Sequence, residues 1–270
     1  MVAEPSLRIA VAGTGASPGD VAANLAAADA AAGRAAAAGA ALLVLPQRFL
    51  TGSFTDAAEA SATAILSDGT AARELGAIAR SHGVALACGY VEQCSGRYHD
   101  AAMFIDAAGC ALANYRRTHL AVEEEAPGLA PGQWLSLVAF SDVKLGLLIG
   151  LDVEPPEPAR ALALAGAAVL LVAAAHDAGA AAAAAAMLAT RAFENGCAVA
   201  YANGHRDLDA PASRVLGPEG EVLAIAEAGF AVADVPLRRP PATARRLAAR
   251  RPQLYRKLTA ALVTADTPRS

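Results

Sequence analysis

Three polar loops and one isolated histidine hold the side chains of this chain best placed to do chemistry. The loops are LLVLPQ (Leu42 to Gln47), NYRRTHL (Asn114 to Leu120) and KLGLLIGLDVEPPE (Lys144 to Glu157), each following or ending a strand-like run. Open α/β sheets form their ligand crevice at such strand ends. Arg117 offers a planar, permanently charged pair of donors suited to a carboxylate or phosphate. Gln47 both donates and accepts hydrogen bonds but takes up no proton near neutral pH. His176, with Asp177 beside it, is the best proton carrier among five histidines, because imidazole titrates near physiological pH. The simpler alternative for His176 is a solvated loop residue. Glu125 and Asp152 are further acids for proton transfer, and Glu125 is equally able to form a structural ion pair with Arg117.

Other groups narrow the chemistry. Only two lysines are present, Lys144 and Lys257, so any step needing an ammonium group has two candidates. The four cysteines (Cys88, Cys94, Cys110, Cys197) show neither metal-site spacing nor a disulfide framework. Cys197 reads as an inert buried thiol. His119 reads as structural, and His82, His99 and His205 have no identifiable partner. GTGASPG (Gly13 to Gly19) lacks the following GK[ST] of a phosphate loop. No metal or cofactor is expected. The tail from Arg238 to Lys257 carries eight basic residues but a single aromatic, Tyr255, and the whole chain is net acidic. A surface or interface role fits that tail better than nucleic-acid binding.

These loops must be held by a scaffold, and its elements are legible. Leu7 to Ala12 reads as a strand and Asp20 to Ala38 as a helix stopped by Gly39. Ala41 to Leu45 is a continuous apolar run suited to a strand buried on both faces. A helix is expected over Thr70 to Ser81, stopped by Gly83. Strands then follow at Val84 to Val91, Tyr98 to Ile105 and Cys110 to Tyr115, with turns at Ser95-Gly96 and Ala108-Gly109. The second half repeats the alternation: strand Val143 to Ile149, helix Pro158 to Ala165, strand Ala167 to Val172, helix Ala180 to Glu194, strand Ala198 to Ala202. Arg214 to Ala233 follows with hairpin punctuation at Gly217 to Gly220. Alternating strands and helices argue for one α/β domain built in layers.

Composition sets the outer limits. The 270 residues are 55% hydrophobic and 18% charged with net charge −4, which excludes a disordered chain. Much of the apolar share is alanine, a strong helix former, so a mean hydropathy of +0.36 does not imply a membrane protein. The longest uncharged apolar run, Ala161 to Ala175, is shorter than the ~18 to 20 residues of a spanning helix. The start lacks a basic segment before a long apolar core, so no secretory signal is expected and a cytoplasmic location is.

Together the three loops resemble the nitrilase, or carbon–nitrogen hydrolase, superfamily. That family has a strand ending in LPE, a YRKxHL segment and a G-x-x-I-C-Y-D-x-x-F-P-E nucleophile turn, in this order and at about these separations. EEEAPGLAPG (Glu123 to Gly132) is similar to its E-R-x-x-F-x-P-G stretch, RAFENGCAVAYAN (Arg191 to Asn203) to its R-A-x-E-N passage, and ASRVLGPEGEVLA (Ala212 to Ala224) to the hairpin that follows. The resemblance covers most of the chain. It implies a four-layer αββα sandwich, a single domain over residues 1–270 with an Arg/Pro-rich tail at 238–270, and pairing with a second copy.

The family's chemistry needs a cysteine thiolate to attack the carbonyl or nitrile carbon, a glutamate to move its proton and a lysine to stabilise the tetrahedral intermediate. The matching positions here read Gly150, Gln47 and Arg117. Glycine forms no thioester, glutamine is no general base, and an arginine with a pKa above ~12 does not readily give up its proton. Framework residues persist: Asp152 and Glu157 match the nucleophile turn, although Leu151 and Pro155 replace its aromatics. Glu125 matches an additional site glutamate, and Glu194 and Asn195 match the R-A-x-E-N pair. The resemblance thus implies a fold whose hydrolytic triad has been replaced. Two functions stay open. One is a pseudoenzyme that binds a small carboxylate or amide, or a partner protein, through Arg117, Gln47, Glu125, His176 and Asp152, as a homodimer or with an active relative. The other is a biosynthetic enzyme doing noncovalent acid–base chemistry such as condensation, elimination or cyclisation.

Overall fold

Each alanine-rich segment or continuous apolar run becomes an element where its ends are chemically marked. A computed structural model describes residues 5–54, 56–121, 128–204, 209–226 and 228–255. β1 (Ser6–Ala12) leads to α1 (Val21–Ala37), whose first turn is capped by Asp20, its carboxylate accepting from the Ala23 N–H at 2.9 Å. β2 (Leu42–Val44) is followed by the short α2 (Ala57–Thr63), capped in the same way by Asp56. α3 (Thr70–His82) stops at Gly83, whose φ of +65° closes the helix. β3 (Ala85–Cys94) and β4 (Arg97–Ile105) form a hairpin about Ser95-Gly96, both at positive φ, and β5 (Ala111–Arg116) follows.

β6 (Ser136–Phe140) and β7 (Val143–Ile149) open the second half and run into a 3₁₀ turn at Gly150–Val153. Then come α4 (Pro156–Leu164), β8 (Val169–Ala174), α5 (Ala181–Asn195) and β9 (Ala198–Asn203). β10 (Arg214–Leu216), β11 (Val222–Ile225), β12 (Phe230–Pro236) and α6 (Pro241–Ala248) complete the described elements. Expectation and structure differ modestly. α2, β6 and α6 are additional, α4 begins earlier because Pro156 suits the first helical turn, and β8 is shifted by two residues.

The strands form two six-stranded sheets, ordered β12-β1-β2-β3-β4-β5 and β11-β10-β9-β8-β7-β6. Each has a parallel centre and antiparallel flanks. The sheets pack face to face, with α1 and α3 outside one and α4 and α5 outside the other. The expected αββα sandwich is therefore the observed architecture. It explains the unbroken apolar runs. Leu42 and Val44 enter the layer between the sheets, while Leu43 and Leu45 enter the layer beneath α1 and α3. β8 divides likewise: Val169 and Leu171 face the other sheet, and Leu170 and Val172 face the helices. Successive residues point to opposite faces, so two buried faces require two apolar sets.

Arginines of the tail tie it to α4 and α5. Arg239 donates to the Ala163 carbonyl at 2.9 Å, and Arg246 lies 4.3 Å from the Phe193 ring while donating to the Phe193 carbonyl. No helix among the described residues is long and apolar enough to cross a membrane.

Candidate functional site

The C-terminal ends of β2, β5, β7 and β8 meet at one edge of the sandwich, and both sheets contribute to the resulting cluster. Gln47 leaves β2 in the turn Pro46-Gln47-Arg48, which lies so close over Gly89 of β3 that a side chain there would strike Gln47 Cα at 2.8 Å. The Gln47 N–H reaches across to the Ala174 carbonyl at the end of β8, 3.3 Å away. Arg48 takes a left-handed backbone (φ +53°), unusual for a residue with a side chain. Its guanidinium lies over the Phe54 ring and against Asp100.

Asp100, on β4, is the buried hub of the cluster, 1% exposed. Its Oδ2 accepts from Gln47 Nε2 at 2.6 Å and from Arg48 Nε at 3.0 Å, and lies 3.6 Å from Arg117 Nη1. The Arg117 backbone N–H also donates to the Asp100 carbonyl, at 2.8 Å. Its Oδ1 is buried without a hydrogen-bond partner among the described residues.

Gly150 opens the turn after β7, facing this group with φ +48°. A Cβ built on it would lie 2.7 Å from Gln47 Oε1 and 3.2 Å from Arg117 Nη1. Positions 47, 117 and 150, more than a hundred residues apart at their extremes, thus converge to contact distance. Beside Gln47 a cleft of about 260 Å³ opens, lined also by Pro18, Arg48, Ser53, Ala175 and Gly204.

The sequence points to Asp152 as a ligand contact, and the structure corrects this. Asp152 is fully buried and both its oxygens are occupied. Oδ1 accepts from the Thr118 and His119 N–H groups, the Thr118 hydroxyl and His119 Nδ1. Oδ2 accepts from Tyr115 Oη at 2.7 Å and the Ile149 N–H at 3.1 Å. Its work is to tie the loop after β5 to the turn after β7, which fixes Arg117 opposite Gly150. His119 is accordingly structural, and the Asp152 hydrogen bond, opposed by burial, holds its imidazole above the ordinary value. Arg191 secures the turn from behind, donating to the carbonyls of Val153 and Glu154 and to Glu194.

His176 is no solvated loop residue. It is half-buried at the end of β8, its Nδ1 2.9 Å from Tyr201 Oη and its ring stacked on that tyrosine. Asn203 holds its backbone through two hydrogen bonds, at 2.7 and 2.9 Å. Its Nε2 is buried with no partner among the described residues. Burial depresses its pKa, with Asp177 opposing and Arg117 reinforcing the shift. Asp177 itself caps the turn before α5 through the Ala180 N–H. Glu125, and with it the Arg117–Glu125 pairing, lies outside the described residues, as do His205 and Lys257. Cys197 is buried, its thiol 3.0 Å from the Ala167 carbonyl and its pKa raised by burial.

Sequence reasoning passes over Asp100, Arg48 and Tyr201. The one available signal for Asp100 is an acid set in the otherwise apolar run Asp100 to Ile105 of a strand that the sandwich must bury. Arg48 and Tyr201 carry no such mark.

Residues 8–239 match the family described as Carbon-nitrogen hydrolase. The chain is 38% identical over 229 residues to "Hydrolase in pqqF 5'region" of Pseudomonas protegens, covering 81% of this chain and 80% of that protein. It is 33% identical over 187 residues to an (R)-stereoselective amidase of Pseudomonas sp., covering 67% of each. Among solved structures it resembles the amidase of Nesterenkonia sp. AN1. A cysteine-to-alanine mutant of that enzyme superposes with a TM-score of 0.78 at 32% identity over 93% of this chain and 97% of the other. A glutamate-to-glutamine, cysteine-to-alanine double mutant in complex with acrylamide gives 0.79 at 31% identity over 96% and 99%.

Proposed function

Since the chain belongs to the carbon–nitrogen hydrolase family, we propose that it keeps that family's pocket as a binding site for a small amide or carboxylate and does not hydrolyse it. The carrying observation is Gly150: the turn after β7 presents no side chain where Gln47 Oε1 and Arg117 Nη1 close on it. Covalent catalysis needs a nucleophile there. The four cysteines lie elsewhere: Cys110 is exposed, Cys94 partly buried, and Cys88 and Cys197 buried. A related amidase supports the reading. Its active-site cysteine is named as the site of covalent addition, and its glutamine–alanine double mutant is in complex with acrylamide. The two residues changed in that mutant stand about as far apart in its chain as Gln47 and Gly150 do in this one. Assembly as a homodimer or with an active relative, and a cytoplasmic location, belong to the same proposal.

Two measurements test it. Incubation with small amides and nitriles should release no ammonia, and turnover by the unmodified protein would overturn the reading. A thermal-shift series with small amides and carboxylates should raise the melting temperature, and Arg117→Ala should abolish the rise. A ligand at ~100 times its Kd adds about 2.7 kcal/mol of stability.

A second reading rests on His176. Its buried, unpartnered Nε2 is suited to exchange a proton with a bound molecule, as noncovalent acid–base chemistry would require. Under that reading His176→Gln abolishes product formation while ligand-induced stabilisation persists.

A further inference from the structure

Trp134, the only tryptophan in the chain, is 81% exposed. A single exposed apolar side chain is ordinary, but this one stands on a pinned segment. The Ala130 N–H donates to the Tyr98 carbonyl at 2.8 Å, and His99 Nδ1 donates to the Ala130 carbonyl at 2.8 Å. The Gly132 N–H donates to the Arg117 carbonyl at 2.7 Å, and a side chain at 132 would collide with the Arg116 carbonyl. Two residues past the indole, Ser136 is paired with Leu147 of β7.

Trp134 lines a cleft of about 770 Å³ that shares no lining residue with the one beside Gln47. Successive strand residues point to opposite faces. Asp100 and Arg117 therefore meet the Gln47 cluster, while their neighbours His99 and Arg116 line this cleft. Arg97 lines it as well and is exposed. Arg116 is fixed in the wall by Glu92, to which its Nε and Nη2 donate at 2.6 and 2.8 Å. Glu92 itself is buried beneath, and no carboxylate is among the described residues lining the cleft. On a chain of net charge −4, a concave surface with two guanidinium groups and no acid favours an anion.

We propose that this cleft binds a small aromatic anion, its ring against Trp134 and its carboxylate or phosphate on Arg97. The indole offers a flat apolar face to a ring, and a guanidinium pairs with either oxyanion through parallel hydrogen bonds. An aliphatic acid would leave the indole in water, and a neutral ring would not answer the positive charge. The cleft is separate from the pocket proposed above, and neither reading depends on the other.

Tryptophan emission reports on this cleft alone, since Trp134 is its sole source. Titration with benzoate and with phenyl phosphate should change that emission saturably for at least one, and the tighter of the two names the oxyanion. Cyclohexanecarboxylate, which lacks the aromatic ring, and benzyl alcohol, which lacks the charge, should bind at least about tenfold more weakly. Arg97→Ala should weaken the aromatic anion at least about tenfold, through loss of a charge-assisted hydrogen bond. Trp134→Leu, followed by isothermal titration, should weaken it as well. Both substitutions alter exposed side chains, so folding is not at stake. The proposal falls if neither aromatic anion perturbs the emission, or if either control binds equally well. It falls also if binding survives in full in Arg97→Ala or in Trp134→Leu. A blue shift of the emission on concentrating the protein without any probe would mean that a second copy covers the indole, and would overturn it too.

Discussion

Substituting Gly150 by alanine probes the contact on which the site depends. Gly150 holds φ at +48°, and a Cβ there would stand 2.7 Å from Gln47 Oε1. A non-glycine residue in the left-handed region costs about 1–2 kcal/mol. The methyl group also forces Gln47 aside, and Gln47 is held by a hydrogen bond of 2.6 Å to a buried carboxylate. Losing a hydrogen bond to a charged group costs about 1.5–3 kcal/mol. Gly150→Ala should therefore destabilise by about 2.5–5 kcal/mol in the unmodified chain. In a Gln47→Ala background there is no amide to displace, and only the backbone cost of about 1–2 kcal/mol should remain. Urea unfolding of the four proteins in this cycle reads the difference as a coupling of about 1.5–3 kcal/mol. A coupling below about 0.5 kcal/mol, the usual value for independent sites, would refute the packing of Gln47 against position 150.

Four further outcomes are expected. Asp152→Ala strands the Tyr115 hydroxyl and the Thr118, His119 and Ile149 N–H groups, and should cost about 3–5 kcal/mol in denaturant unfolding, comparable to breaking a buried charged pair. His119 titrates above its ordinary value because Asp152 holds it, against opposing burial. Its stabilising contribution is complete below the unfolded pKa of about 6.5 and is lost as pH rises through the folded value. The stability gap between the unmodified chain and His119→Gln should therefore be widest near pH 5 and narrow as the pH rises through the raised folded value, as read by melts at increasing pH. Arg191→Leu leaves the Val153 and Glu154 carbonyls without their donor and should cost about 1–3 kcal/mol, with weaker ligand-induced stabilisation because the turn carrying Gly150 is released. Finally, in the triple variant Gln47→Glu, Arg117→Lys and Gly150→Cys the new thiolate should be alkylated by fluoroacetamide, its sulfur bonding to the CH₂ carbon as fluoride leaves, and peptide mass mapping should locate the added acetamide group at residue 150, whereas the unmodified chain should show none in that peptide.

Much of the scaffold is legible in the chain because its signals are local. Asp20 caps α1, Gly83 ends α3, and Ser95-Gly96 turns the β3–β4 hairpin through interactions among residues a few positions apart. The continuous apolar runs Leu42 to Leu45 and Val169 to Val172 require strands covered on both faces, and that demand alone calls for outer helical layers. α2 and β6 escaped because a seven-residue helix and a five-residue edge strand carry too little periodicity to register. Residue types also settle what positions 47, 117 and 150 are unable to do, since glycine has no nucleophile and glutamine no titrating group.

What those side chains face was decided by tertiary structure. Asp152 and Asp100 are both acids near the same loops, yet one has every oxygen filled by neighbouring donors and the other meets an amide and two guanidinium groups. His176 gains its neighbours from β9, some 25 residues further along the chain. Hydrogen bonds and ion pairs act over a few ångströms, so their partners depend on which strands the sandwich brings side by side. The chain determined the layers and the residue types at positions 47, 117 and 150, while the packing of the two sheets determined that Asp100 meets Gln47, Arg48 and Arg117 and that Asp152 ties the loop after β5 to the turn after β7.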